Sequence, residues 1–165
     1  IDDNIAIYVT DDTPSAEARY RARFRFDPNT LAMAKNDSFA LFYGYSGAST
    51  VALRVELRYS NNRYQLRAGL INDGGTWSDT GWNTISDAPH PIEIDWRAST
   101  AAGANSGGLT LWIDGTQQAN LAAIDNDTLR IERVQLGAVA GVDNGTRGTA
   151  YFDAFESRRQ TLIGP

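Results

Sequence analysis

Two carboxylates stand two residues apart in an alternating run, Glu93-Ile94-Asp95-Trp96. Successive side chains on an extended strand point to opposite faces, so Glu93 and Asp95 share one. Paired carboxyl groups on one face are what cleavage of a glycosidic bond requires. The next two positions are Arg97 and Ala98, so no further acid follows. An exposed strand face carrying ordinary carboxylates accounts for the same residues and is the preferred reading. A Ser-His-Asp relay would have to use His90, the single histidine, which sits between Pro89 and Pro91. A structural hydrogen bond competes with catalysis there and is preferred to it. The chain has no cysteine, which excludes disulfides, thiolate metal sites and cysteine nucleophiles. One histidine also argues against a transition-metal centre. No catalytic residue is therefore expected.

Binding chemistry is better represented. Sugars offer C–H faces and hydroxyl edges, so a glycan site needs aromatic platforms beside planar polar groups. If Ile94 and Leu111 face inward, Trp112 points outward beside Glu93, Asp95 and Arg97. The same parity places Arg54, Glu56, Arg58, Gln65 and Arg67 on an outer face, and Trp77 lies in the loop Gly74–Asp79. The expected ligand-binding set is Trp112, Trp77, Asp95, Glu93 and Arg97. The alternative packs Trp112 on neighbouring arginine stems and uses Trp77 and Trp82 to plug the edge of a sandwich. The row Arg19, Arg21, Arg23, Arg25 reads as a solvated strand face paired with acids across the sheet. Glycosylation-type sequons at Asn36, Asn126 and Asn144 fall in turn-like segments. Hard oxygen ligands for calcium are plentiful at Asp2, Asp3, Asp11, Asp12, Asp125, Asp127, Asp143 and Asp153.

The elements that must position these groups show a period of two nearly throughout. In Ala18–Phe26, Tyr20, Ala22, Phe24 and Phe26 alternate with four arginines. Further strands are expected over 5–9, 38–45, 50–59, 63–71, 82–85, 91–97, 109–114, 118–121, 131–136 and 148–157. Breaks such as Asn72-Asp73-Gly74-Gly75, Asp114-Gly115 and Asp143-Asn144-Gly145 carry turn chemistry. Only Thr30–Lys35 could make a helical turn. The pattern predicts an all-β, antiparallel two-sheet β-sandwich, with residues 1–165 forming a single domain. The net charge of -5 argues against nucleic acid, whose backbone needs a basic surface, and against an anionic membrane. No apolar run approaches the about 18 residues that would span a bilayer, so membrane insertion is not expected. The chain opens on Ile1-Asp2-Asp3, inside an ordered-looking segment, and Arg159–Pro165 reads as an exit toward a following domain. It is expected to be part of a larger secreted or cell-surface protein whose flanking domains are partners, and the lack of cysteine suggests a bacterial exterior.

The stretch His90-Pro91-Ile92-Glu93-Ile94-Asp95-Trp96, followed by Gly108-Leu109-Thr110-Leu111-Trp112-Ile113-Asp114-Gly115, resembles the laminin-G-like family. Leu136-Gly137-Ala138 and Gly148–Phe155 are similar to the closing strands of bacterial jelly-roll modules. The resemblance implies a concanavalin A-like jelly roll, a superfamily of lectins, adhesion modules, carbohydrate-binding modules and glycanases. It implies a structural calcium ion held by Asp153 of the last strand with Asp11 and Asp12 near the first. Glu93 and Asp95 resemble the first half of the Glu-x-Asp-x-Glu signature of laminarinase-type hydrolases, whose second Glu is missing here. The function implied is a non-catalytic extracellular binding or cell-adhesion module for a glycan or a cell-surface protein. The alternative is a structural subunit of a surface assembly or filament, and a glycoside hydrolase comes last.

Overall fold

The computed structural model describes residues 1–2 and 4–164. The strands are β1 (Ile7–Asp11), β2 (Arg19–Asp27), β3 (Ser38–Ser46), β4 (Thr50–Ser60), β5 (Arg63–Ile71) and β6 (Trp77–Asp79). They continue with β7 (Asn83–Ile85), β8 (His90–Arg97), β9 (Gly107–Ile113), β10 (Thr116–Ile124), β11 (Arg133–Ala140) and β12 (Tyr151–Arg158). One sheet has seven strands in the order β1-β11-β3-β4-β5-β6, with β7 also paired to β5; the other has five, β10-β9-β8-β2-β12. Every pairing is antiparallel. The expected two-sheet sandwich is the fold, and among the described residues there is no helix. Thr30–Lys35, the one stretch that could make a helical turn, does not, because Asn29 and Thr30 sit at positive φ (47° and 55°) and a bridge ties Ala32 to Arg147.

Alternation explains the core. The inward residues Tyr20, Phe24 and Phe26 of β2, Ile92, Ile94 and Trp96 of β8, and Leu109 and Leu111 of β9 are all buried. They meet Phe42, Leu53, Leu57, Leu66 and Leu70 of the opposite sheet, and the rings of Phe24 and Phe42 stack at 6.0 Å. The opposite parity leaves two polar outer faces, one on each sheet. Register is pinned by the turns. Asp114 and Gly115 both have positive φ (53° and 72°), the two-residue hairpin geometry whose twist matches that of β9 and β10.

Three local features differ from expectation. Residues 77–79 form β6 instead of lying wholly in a loop, since they pair with Gly69–Ile71 far from them in sequence. Asn126 is fully buried: its side-chain oxygen accepts from Ser99 N–H at 2.7 Å and its amide donates to the Arg97 carbonyl at 3.1 Å. It is a loop anchor, closed to modification. Residues 162–164 fold back onto the five-stranded sheet instead of leaving it, with Ile163 and Gly164 N–H donating to Glu93. At the opposite edge, β1 and β12 bound an apolar groove of about 510 Å³ in which Ile7, Val9 and Phe155 stay exposed. No helix among the described residues is long and apolar enough to cross a membrane, which says nothing about β-barrel proteins.

Candidate functional site

The expected ligand-binding residues divide between the two outer faces. Glu93, Asp95, Arg97 and Trp112 lie on the five-stranded sheet, where β8 sits between β2 and β9. Trp77 lies on the seven-stranded sheet. One ligand cannot span both, so the set is not a single site.

The five-stranded face is committed to internal partners. Asp95, 3% exposed, accepts from Arg19 Nε at 2.9 Å and Arg19 Nη2 at 2.8 Å, and pairs with Arg21 Nη2 at 2.8 Å. Glu93 faces Arg21 Nη1 at 3.6 Å and accepts the Ile163 and Gly164 N–H groups at 3.1 and 3.2 Å. Arg23 donates to the Gly164 carbonyl and pairs with Glu156. Three of the four arginines, Arg19, Arg21 and Arg23, thus pair with acids across the sheet, although Arg21 is buried and not on the solvated face expected of it. Trp112 packs with Arg21, 5.8 Å from ring centre to guanidinium. Glu93 and Asp95 are buried, not on the exposed face expected, and act as structural counter-ions, while Leu162 and Gly164 lie beside Trp112.

The seven-stranded face is open and chemically richer. Arg54, Glu56, Arg67 and Asp79 form an alternating ring of charges. Arg54 Nη2 meets Asp79 at 2.9 Å, Arg54 Nε meets Glu56 at 3.2 Å, and Arg67 contacts Glu56 at 2.7 Å and Asp79 at 3.4 Å. Gly69 makes this possible, since a Cβ there would collide with the Asp79 carboxylate. The guanidinium of Arg54 lies 4.0 Å over the Trp77 ring, and Arg58 and Arg67 lie 4.3 and 4.5 Å over Trp82. These contacts hold long side chains flat against indole planes.

Beside this ring stand Tyr43 and Tyr45. Tyr43 is directly opposite Arg54 on one neighbouring strand and Gln135 on the other. Tyr45 donates to the Gln135 side-chain oxygen at 2.9 Å, packs edge-on to Tyr43 at 5.9 Å and carries Arg133 over its ring at 4.4 Å. No protein group among the described residues hydrogen-bonds the Tyr43 hydroxyl, on a side chain that is half-buried. Burial, then the nearby Glu56 charge, pushes the Tyr43 phenol above its ordinary value, with Arg54 pulling the other way. Burial likewise raises Tyr45. Sequence parity placed Arg54, Glu56 and Arg67 on an outer face but missed Tyr43, Tyr45 and Gln135. A β-bulge between Ala40 and Phe42 breaks the alternation of β3 just before the tyrosines.

His90 makes the structural bonds expected of it and reaches further. Its Nδ1 is 2.7 Å from Asp114 and its Nε2 2.9 Å from the Ser86 hydroxyl.

The calcium ligands implied by resemblance do not fit. The Asp153 carboxylate accepts from Ala154 N–H at 2.7 Å and Asp11 from Thr13 N–H at 2.9 Å. Asp11, Asp12 and Asp153 do not gather within one coordination shell. Among the described residues the gathered carboxylates are instead Asp73, Asp125 and Asp127, within 4.8 Å of one another. Asp143 closes its own turn through Gly145 N–H, and Asp3 lies outside the described residues.

No family model matches the chain, and no curated protein matches it. Solved structures do. A family 18 polysaccharide lyase is similar with a TM-score of 0.61 at 8% identity, covering 96% of this chain and 82% of that one. Alginate lyase Aly36B is similar with a TM-score of 0.61 at 13% identity, covering 99% and 79%. The receptor binding domain of a botulinum neurotoxin mosaic serotype C/D follows with a TM-score of 0.60 at 9% identity, covering 88% of this chain and 34% of that one. Identities this low establish the jelly-roll sandwich. Further alginate lyases recur among the matches, one of them from Chlorella virus. The expectation of a non-catalytic binding or adhesion module is thereby overturned. It drew on the superfamily's binding members, whereas the same fold is shared by alginate lyases as well as by toxin receptor-binding domains.

Proposed function

We propose that the chain is a carbohydrate-processing enzyme that cleaves an acidic, uronate-containing polysaccharide by β-elimination on the outer face of its seven-stranded sheet. The observation that carries this reading is Tyr43, with an unpartnered hydroxyl, set in the ladder between Arg54 and Gln135. The recurrence of alginate lyases on the same sandwich supports it.

Elimination from a uronate needs three things. The proton next to the carboxylate must leave, the carboxylate must be neutralised as charge develops on it, and the departing glycosidic oxygen must be protonated. Arg54 and the Gln135 amide are the donors for the carboxylate. Tyr43 takes the proton as phenolate and returns one to the leaving oxygen. Its raised pKa makes it a strong acid–base pair partner once ionised and ties ionisation to alkaline conditions. The indole planes of Trp77 and Trp82, rimmed by Arg54, Arg58 and Arg67, supply aromatic platforms and positive charge along the sheet for neighbouring sugar units. In this reading Trp77 is a sugar platform on the seven-stranded sheet, away from Trp112. The secreted or cell-surface location inferred from composition suits such a substrate.

Incubation with a polyuronate and, separately, with a neutral glucan tests the reading. The conjugated double bond left at the new chain end absorbs in the ultraviolet. Absorbance growing with the polyuronate alone is expected. No absorbance from any uronate-containing polymer would remove the proposal.

A further inference from the structure

We propose that Ser86, His90 and Asp114 form a second catalytic site, a nucleophilic serine centre that removes small acyl groups, such as acetyl esters, from saccharide hydroxyls. The inference does not rest on the eliminative reading, since it uses neither the same residues nor the same sheet face.

The geometry is that of a nucleophile, its base and the base's orienter. Ser86 Oγ lies 2.9 Å from His90 Nε2, and His90 Nδ1 lies 2.7 Å from Asp114 Oδ2. A carboxylate only accepts, so Nδ1 carries the imidazole proton. In the neutral ring, Nε2 is then the acceptor. The Ser86 hydroxyl must donate to it, and the Ser86 carbonyl, 3.3 Å from the same nitrogen, cannot. This is the polarity that turns a serine into a nucleophile.

Two separate turns hold the three groups. Ser86 and His90 are the two ends of the turn Ser86-Asp87-Ala88-Pro89-His90, with prolines on both sides of the histidine. Asp114 comes from the β9–β10 hairpin, where its N–H donates to the Pro91 carbonyl at 2.9 Å and its φ is 53°. The imidazole is well shielded, with its side chain 11% exposed, whereas Ser86 is exposed.

A substrate has room. Ser86 lines a cleft of about 720 Å³ whose walls include Tyr59, Tyr64, Met33 and Ile85, with Asn62 and Arg63 at the polar side. That volume is in the range of small-molecule sites, about 300–1,000 Å³. The N–H groups of Asp87 and Ala88, immediately after Ser86, donate to no protein acceptor among the described residues. They are the donors available to an oxyanion formed at Ser86. The Asp87 carboxylate ties the turn to the opposite wall by accepting from Thr30 N–H at 2.7 Å.

In the proposed reaction Ser86 Oγ forms a bond to the acyl carbon as His90 Nε2 takes the hydroxyl proton. The C–O bond to the sugar breaks and the alkoxide leaves with that proton. Water, deprotonated by His90, then attacks the acyl-serine, releasing the carboxylic acid and restoring the serine. Water is the only co-reactant, and no oxidant or metal is needed.

The test treats the whole chain with a fluorophosphonate, maps any adduct by peptide mass, and follows hydrolysis of an aryl acetate and acetate release from an O-acetylated polysaccharide. A single adduct on Ser86 is expected, together with losses of about a hundredfold or more for Ser86→Ala and His90→Asn, the range a general base contributes. Ser15→Ala, at an exposed residue that does not line the cleft, serves as the control and keeps both labelling and turnover. Folding of each variant is checked by its melting curve. Absence of an adduct on folded wild-type chain, or aryl acetate turnover that survives Ser86→Ala, overturns the proposal and leaves His90 as a bracket between two turns.

Discussion

Replacing Asp95 with alanine removes the centre of the charge network on the five-stranded sheet, and its cost can be worked from the structure. Asp95 is 3% exposed and holds Arg19 and Arg21. The Arg19 side chain is 36% exposed, so its share is small, as for surface pairs generally. Arg21 is 7% exposed, and its Nε and Nη1 already lack hydrogen-bond partners. Without Asp95 it would keep only the Glu93 contact at 3.6 Å. Breaking a buried pair and stranding one charge costs about 3–5 kcal/mol. At about 2–4 °C per kcal/mol for a chain of this size, Tm should fall by about 6–20 °C. Urea denaturation gives the free energy and a thermal scan the shift. The double variant Arg21→Met with Asp95→Leu should recover most of the loss, since apolar replacement of a buried pair is often neutral or better. A loss below about 1 kcal/mol for Asp95→Ala, the value of an exposed pair, would refute the assignment of this network as buried and structural.

Other outcomes follow from the same geometry. Tyr43→Phe should lower eliminative turnover by about a hundredfold or more without changing Tm, and wild-type turnover should climb from neutral toward alkaline pH as the raised phenol ionises; a flat pH profile would contradict the role given to Tyr43. Partial loss of water, then Asp73 and Asp125, push the Asp127 carboxyl above its ordinary value. A raised carboxyl pKa favours the fold while protonated and weakens it as pH rises through that pKa, so Asp127→Asn should raise Tm at neutral pH and not at acidic pH. Burial raises Tyr20 and Tyr64 from 10.0 to about 12, so their stabilising effect is complete below pH 10 and lost toward about 12, seen as alkaline unfolding in that window by circular dichroism. Val9 is 69% exposed, so Val9→Ser should change stability by less than about 0.5 kcal/mol while reducing binding of an apolar dye to the β1–β12 groove.

Most of the strands were legible in the sequence because each has a polar outer face and an apolar inner one, most plainly in Arg19–Phe26. Parity also placed Trp112 beside Glu93 and Asp95, and Arg54 beside Glu56. Parity does not say which sheet a strand joins. That depends on pairings across the chain, such as β2 with β12, and it separates Trp77 from Trp112. Tyr43 escaped notice because Phe39, Ala40, Leu41 and Phe42 are all buried around a bulge, so the period-two signal fails where the site begins, and Gln135, in a regularly alternating stretch, meets it only through the pairing of β11 with β3. β6 has three residues, too few for a period. The return of residues 162–164 depends on Glu93, some seventy residues away, and nothing in their local pattern announces it. The Asp114-Gly115 turn and His90 were legible, but Ser86 was not singled out, because nothing local shows that the turn after β7 brings its hydroxyl to His90.

The measurement that bears most directly on the proposed activity is the mass of the products from a defined oligouronate. Elimination adds nothing, so the two fragments must sum to the mass of the substrate, with one carrying a double bond. Hydrolysis adds one water to that sum. Fragments that conserve the substrate mass, lost in Tyr43→Phe, are predicted. Fragments heavier by one water, or intact oligouronate after incubation with folded protein, would contradict the account.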